Sequence, residues 1–344
     1  MPIQTIAKVT ERHKKSIYSV IKGKAKFAKR GPKEKLSRKD VTNLVRILRS
    51  MIKKAKARYE VTLTMLKKRA KCKVSDKVVR KALKTRKIAF RKMRSKPLLT
   101  TQDRKARLAF AKKYMRKTRE WWLEHIDQHW DIKNFMVYTH AAARAVAAMR
   151  EVRGAYRAPG QGLDEAYVVI PKDMRYNPGA KSVRIAGAVG GGKVRLWHEV
   201  GKRWSGAVAA KLYKGPLASA LKAQRPDKTT WKVLEDNDPT GFKSNEGKAA
   251  KRAAKIGIFE IPKRSPDLNV LDYAIWKQVT RKMRAQEKKF PKSKRETRAE
   301  YIARLRKVAK RLPASFINKA IGNMVTRCRR LYDAQGGHFE EGGC

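Results

Sequence analysis

The chain carries 87 Lys and Arg against 29 Asp and Glu, a formal net charge of +58 at pH 7, and no other feature limits its folding more. At that charge a compact state repels itself unless a polyanion neutralises it, and nucleic acid is the commonest such partner. The chain is nevertheless no basic tail: its 344 residues, 42% hydrophobic, are enough for a catalytic domain with smaller appendages. The charge is uneven. Residues 1–120 hold 42 Lys and Arg and 7 acids, a net of +35, which leaves +23 for residues 121–344. The N-terminal third is therefore the expected DNA-docking part.

Cys72, Cys328 and Cys344 form no CxxC pair, so neither a zinc finger nor a disulfide framework is expected, which fits a reducing compartment. No signal peptide opens the chain, and no apolar run approaches the roughly 18 residues that a membrane span needs. A soluble intracellular protein with no membrane partner is expected.

Along the chain, residues 1–28 contain "IAKVTERHKKSIYSVIK", which sets Ile6, Ala7 and Val9, then Ile17, Val20 and Ile21, on two short helical faces around a polar turn. This is helix-turn-helix spacing, with His13, Lys14, Lys15, Ser16 and Ser19 open to DNA. Two helices packed for stability alone is the alternative; the basic outward face argues against it. Residues 29–37, "KRGPKEKLS", read as a basic linker whose Arg30 and Lys33 suit a narrow minor groove or serve a plain tether. Residues 38–92 read as a second helix-turn-helix unit, with helices near 39–57, 61–70 and 76–87, the last capped by Ser75. There Val78, Val79 and Leu83 make the buried side while Lys77, Arg80, Lys81 and Lys84 face DNA.

Residues 93–120 read as a linker and a helix that starts near Thr101. From 121 the grammar changes. Alternating runs, "HWDIKNFMVYT", "SVRIAGAVGGGKVRLWHEV", "TTWKVLED" and "IFEIP", interleave with helical patterns near 205–223, 244–255 and 270–287, the mark of a mixed α/β domain over 121–290. Residues 291–335 read as a C-terminal helical extension with Leu305, Val308, Leu312, Ile317, Ile321 and Val325 as its core. Residues 336–344 read as a disordered tail.

Three acids stand at element ends: Asp131, Asp236 after "TTWKVLE", and Asp272 where "RSPDLNVLDYAIW" enters a helix. Carboxylates at such ends can converge on one sheet edge. Hard oxygen ligands hold Mg²⁺ or Mn²⁺, and the metal polarises a phosphodiester that the basic surface brings in. Two ions roughly 3.5–4 Å apart need a shared carboxylate. Glu235 and Asp238 have a plainer reading as turn formers around "NDPTG".

"EDNDPTG" and "RSPDLNVLDYAIW", preceded by "WSGAVAAKLYKGPLASAL" and by "KPLLTTQDRKARLAFAKKY", carry a resemblance. With the paired helix-turn-helix units and basic linker, most of the chain resembles the Tc1/mariner superfamily of DNA transposases. The resemblance implies an RNase H-like α/β catalytic domain behind an all-α paired helix-turn-helix module. Asp131, Asp236 and Asp272 would be its catalytic, metal-holding acids. It also implies Mg²⁺ or Mn²⁺, in all two ions, for hydrolysis at transposon ends and transfer of the freed 3′-OH into target DNA at TA. Double-stranded DNA and a second copy of the chain would be its partners. Asn237, Pro266, Asn269 and Trp276 match motif positions that shape the site.

There are departures from that pattern. The third acid is Asp where Glu is commoner, and 35 residues separate Asp236 from Asp272, one more than is usual in Tc1-like members. Ile132 stands where a Glu usually follows the first acid, so Asp127 stays open as the alternative to Asp131. The chain starts close to the first helix pair, so the leading helix of the usual three-helix unit is expected to be missing.

"GAVGGGKV" nearly spells a phosphate loop, but Val194 replaces the Ser or Thr that binds Mg²⁺ and alternation continues on both sides, so a glycine hairpin turn is expected. His125 and His129 lack the Glu or Cys company of a zinc site, and Trp121, Trp122 and Trp130 are read as core. Two other functions remain open: a transposase-derived DNA-binding protein that no longer cuts, and a nuclease of the same fold without strand joining. In a host with a nucleus the protein is expected there, with "KRGPKEK" or the basic run 53–58 as import signals.

Overall fold

Helices form first where apolar spacing repeats on one side of a basic chain. In the computed structural model the described residues are 2–22, 36–54, 61–138, 154–164, 167–169, 181–201, 203–241, 243–291 and 293–340. Arg30, Lys33, the import-signal candidate "KRGPKEK" and most of the run 53–58 lie outside them. The chain divides into two compact units, Met1–Ala55 with Val61–Lys87, and Lys56–Glu60 with Ile88–Cys344.

In the first unit, helices Ile3–Val9 and Lys14–Ile21 form the expected pair. Only Ile17 is buried in them, whereas Val9, Val20 and Ile21 remain exposed, because two short helices offer each other too little surface. Helices Arg38–Lys54, Leu63–Arg69 and Asp76–Thr85 bury Leu44, Leu48, Leu66, Val79 and Leu83 against one another. Thr62 caps the second by accepting from the Met65 N–H at 3.2 Å, and Lys67 bridges to Asp76 across the turn at 3.0 Å. Ser75 takes the cap position of the third without a side-chain cap bond, and Val78 is only half-buried.

The main run of the second unit starts at Ile88, so residues 88–92, expected to close the helix-turn-helix segment 38–92, belong to this unit, where strand β1 (Ala89–Lys92) pairs with β4 (Gly154–Arg157). A two-residue strand β2 (Arg94–Ser95) pairs with β5 (Val168–Val169). Among the described residues the main sheet has five strands, β3 (Gln128–Val137), β6 (Lys181–Gly190), β7 (Lys193–Val200), β8 (Trp231–Glu235) and β9 (Ile256–Glu260), in the order β7-β6-β3-β8-β9. Strand β6 runs antiparallel to both β7 and β3, while β8 runs parallel to β3 and β9 to β8. The β6–β7 turn is Gly191–Gly192, both with positive φ as a two-residue hairpin turn requires, which bears out the glycine hairpin.

Each face of this sheet buries its own core. Trp130, Val233, Leu212 and Leu221 fill one side under helices Gly206–Leu212, Ala218–Gln224 and Asn245–Ala253. Phe135, Leu234, Trp276 and Trp122 fill the other together with Leu305, Ile317 and Leu331. Helices Arg298–Lys310, Ala314–Gly322 and Met324–Asp333 therefore belong to the core of the sheet domain and are not an extension, because their apolar stripes complete one sheet face.

The expected tail is also different. Arg107, wholly buried on helix Thr101–Tyr114, donates all five guanidinium hydrogens: to Asp267 Oδ1 at 2.8 Å and Oδ2 at 2.7 Å, to Ser265 Oγ at 2.8 Å, and to the carbonyls of Gly336 at 2.9 Å and Gly337 at 3.2 Å. Residues 336–340 are thereby held, with Phe339 buried and His338 bonded to the Pro97 carbonyl. Gly336 sits at φ 76° with the Arg104 carbonyl where a Cβ would go, so only glycine fits the turn. A hydrophilic, glycine-bracketed ending hid these backbone acceptors. Arg107→Ala is expected to destabilise the protein by about 3–5 kcal/mol in urea titration, because Asp267 stays buried without its partner. A loss below about 1 kcal/mol would contradict this role.

Candidate active site

Parity along two parallel strands decides which acids meet. β3 and β8 pair Gln128 with Val233 and His129 with Leu234, so two residues on, Asp131 stands opposite Asp236, just past the end of β8 at Glu235. Asp131 lies inside β3 and not at its end as expected, while Asp236 follows β8 directly. Asp236 shares the face of Leu234, and its neighbour Glu235 points to the other face. Asp272 lies on the wide helical turn Leu271–Ile275, whose i→i+5 bonding often marks functional sites. One turn later on the same helix, Trp276 Nε1 donates to Asp131 Oδ2 at 2.7 Å.

Trp276 fits only because Gly187, paired with Asp131 across β3–β6, has no side chain: a Cβ there would stand 2.5 Å from the Trp276 ring. The strand ends and Trp204 enclose a cavity of about 270 Å³ lined by Asp131, Asp236, Asp238, Glu235, Tyr213 and Arg184, among others.

The electrostatics follow from that gathering. Asp131 is held well above the ordinary carboxylate range, first by burial and then by the charges of Asp272 and Asp236; the Trp276 and Ile132 N–H bonds oppose the rise. Asp236 is raised as well, chiefly by loss of water around its carboxyl although the residue reaches the surface, and its Oδ1 accepts the Asp238 N–H at 3.2 Å. Three mutually repelling carboxylates are the donor chemistry that Mg²⁺ and Mn²⁺ take, so the residues fit a divalent ion in kind. Among the described residues, no three His, Cys, Asp or Glu side chains are drawn together closely enough to hold one.

Asp127, the alternative first acid, serves the fold. It is buried, bonded to Lys228 at 2.7 Å and to the Lys232 N–H at 2.7 Å. Asp238 accepts from Gly241 N–H at 2.8 Å and Trp204 Nε1 at 2.7 Å, the turn-forming role allowed for it. Glu235 accepts from Lys251 at 2.7 Å and Tyr213 at 2.9 Å in the interior. Asn269 Oδ1 accepts the Leu271 N–H at 3.1 Å and Asn237 Nδ2 donates to the Ile261 carbonyl, so both shape loops beside the acids. Tyr213, Trp204 and Gly187 went unnoticed in the sequence as site-formers; the glycine opposite a strand acid was the available signal.

His125 and His129 stand in different surroundings. His125 ends the helix Arg119–Glu124 and stacks on Trp121, whereas His129 is buried in β3 and pushed down to about 3 by burial. Trp122 and Trp130 are core, as expected. In the first unit, His13 caps helix Lys14–Ile21, accepting from the Lys15 N–H at 3.3 Å, and Lys14, Lys15, Ser16 and Ser19 are exposed. Lys77, Arg80, Lys81 and Lys84 are exposed on helix Asp76–Thr85, opposite Val79 and Leu83. These two basic faces are the nucleic-acid candidates.

A family model described as "Transposase", of the Tc3 helix-turn-helix type, matches residues 48–116. The Tcb1 transposable-element transposase of Caenorhabditis briggsae is 24% identical over 275 residues, 76% of this chain and 86% of that one. Among solved structures, the Mos1 mariner paired-end complex with Mn aligns with a TM-score of 0.58 at 16% identity, covering 99% of this chain and 89% of that one. The Mos1 catalytic domain alone aligns at 0.50 with 13% identity, over 71% of this chain and 99% of that one. The fold is thus an RNase H-like catalytic domain with an N-terminal helix-turn-helix module, and the resemblance to Tc1/mariner transposases is borne out in sequence and in fold.

Gly187→Val is expected to cost about 1–3 kcal/mol in thermal denaturation, since Trp276 is buried and has nowhere to move; an unchanged melting temperature would refute the close fit. Burial raises Glu235 to about 7 from 4.5 although Lys251 and Tyr213 bind its charged form. The folded protein keeps that proton where the unfolded chain has lost it, so this stabilising contribution is full below 4.5 and fades as pH rises toward about 7. Glu235→Gln should flatten the decline of urea stability across that window; an identical slope would exclude the raised value.

Proposed function

We propose that the protein is a cut-and-paste DNA transposase. It binds the terminal repeats of its element through the exposed faces around Lys14–Ser19 and Lys77–Lys84, cuts phosphodiesters there, and joins the freed 3′-OH to target DNA, at TA. The observation that carries the reading is Asp131 opposite Asp236 at the edge of an RNase H-like sheet, with the charges of Asp272 and Asp236 near enough to raise Asp131. The similarity to Tc1-type transposases over 76% of the chain supports it.

In this reading Asp131, Asp236 and Asp272 hold two Mg²⁺ or Mn²⁺ ions, which when bound polarise the scissile phosphate and lower the pKa of the attacking water or hydroxyl. The rest is done by the chain. Trp276 fixes the rotamer of Asp131 through its indole N–H, and the Asp238 N–H orients Asp236. Asp272 rides on the same helix as Trp276, so the first and third acids share one rigid support. Asp in place of the commoner Glu shortens that arm by a methylene, and the extra residue before it compensates. A pair of chains working on two ends, and residence in the nucleus of a eukaryotic host, belong to the same proposal.

A DNA-binding descendant that no longer cuts is the other reading, and it has no use for three carboxylates kept at mutual electrostatic cost. The decisive measurement is cleavage and strand transfer on DNA carrying the element's own ends, with Mg²⁺ or Mn²⁺. Wild type should cut and join, while Asp236→Asn should lose at least a hundredfold in rate and keep its end binding. End binding with no cutting by either protein would favour the binding-only reading.

A further inference from the structure

Outside the carboxylate site, three arginines meet on the small sheets formed by β1, β4 and β2. In the β1–β4 ladder Ala89 pairs with Arg157 and Arg91 with Ala155, so Arg91 and Arg157 are diagonal neighbours on one face, about 7–8 Å apart. The register cannot slip by one, because Phe90 and Tyr156 pack edge to face on the opposite side with ring centres 5.2 Å apart. Arg94 follows on β2, after Met93, which is buried against Ala155.

Like charges so placed destabilise a ribbon, and among the described residues little offsets them. Arg157 is 8% exposed; its Nη2 donates to the Lys92 carbonyl at 3.1 Å, and its Nε has no partner. Its guanidinium is lowered from the ordinary value, first by burial and then by the charges of Arg94 and Arg91. Glu340 is the acid at the cluster, and it pairs with Arg94 at the surface. Arg91 is exposed. A buried cation behind two accessible ones makes a fixed positive field whose natural complement is a doubly accepting oxyanion, since the guanidinium fork matches phosphate oxygens.

We propose that Arg91 and Arg94, backed by the buried Arg157, form a phosphate site that grips the backbone of double-stranded DNA, separate from the helix-turn-helix faces. The proposal rests on the DNA-binding part of the function proposed above. In that setting the grip fixes position without reading sequence, as phosphate contacts do.

The test uses the full chain and the salt dependence of its affinity for duplex DNA, followed by fluorescence anisotropy. Each phosphate contact contributes about 0.9 to the slope of log K against log salt. Arg91→Ala with Arg94→Ala is therefore expected to lower the slope by about 2, equally on related and unrelated sequences. Arg91→Lys with Arg94→Lys should retain most of it, and Lys248→Ala, an exposed charge on helix Asn245–Ala253, should leave it within about 0.3. Circular dichroism and melting of the double variant report folding, and Arg91→Gln alone, which leaves the Arg94–Glu340 pair intact, should lower the slope by about 1. A slope shared by wild type, the double alanine variant and Arg91→Gln overturns the site. So does an unchanged slope combined with loss of stabilisation by inorganic phosphate in the double variant, which would mark a free-phosphate site. Wild type without duplex affinity would sink the transposase reading as well, an outcome distinct from either.

Discussion

The active face depends on one buried cation. With its five donors Arg107 ties its own helix to two stretches of chain far apart in sequence, the loop 265–269 and the C-terminal segment at Gly336–Gly337. An unpaired guanidinium in such a place would cost several kcal/mol, so the bidentate Asp267 and the carbonyls must all be present together. Arg327 holds the same loop from the other side, donating to the Asp267 carbonyl at 2.7 Å while lying 3.5 Å over the Tyr273 ring. Asp272 stands between Asp267 and Tyr273 in sequence. Its backbone is therefore anchored by two arginines that never approach the reacting groups. A chain with 87 cationic residues uses two of them as interior fasteners.

The same economy explains why the acids are few and concentrated. Asp127 pairs with Lys228 and Glu235 with Lys251 inside the fold, and Asp267 pairs with Arg107. Among the described residues, Asp131 and Asp236 have no cation of this kind as a partner; Asp131 is held by neutral N–H donors and Asp236 by a backbone N–H. That difference separates the structural carboxylates from those proposed to hold metal more sharply than position does. A lysine beside Asp131 would lower its pKa and satisfy it, and would leave nothing for a divalent ion to do.

Much of this was legible beforehand, for a physical reason. Strands β3, β6, β8 and β9 alternate clearly, the two-glycine turn could hardly be anything else, and the acids Asp236 and Asp272 sit in motifs that carry their own turn chemistry. What escaped was whatever depends on partners distant in sequence. Arg107 looks like one more charge in "QDRKAR", and nothing local says that Gly336 waits for it. The final helices read as an extension because their apolar stripes are amphipathic, and amphipathicity does not name the surface it will cover. Asp127 and Asp131 were inseparable by type, and only the register with β8 put Asp131 opposite Asp236.

The register argument also bears on how Asp272, the proposed third acid, is placed. Trp276 and Asp272 are four residues apart on one continuous helix, and Trp276 is pinned to Asp131 by its indole N–H and to β6 by the absence of a side chain at Gly187. The distance from the helix to the sheet is thus set by the Trp276 ring and not by the length of the acid. The wide turn Leu271–Ile275 begins one residue before Asp272 and so sets where its carboxylate leaves the helix. The placing of Asp272 relative to Asp131 then comes down to one constraint, the fit of an indole against a glycine.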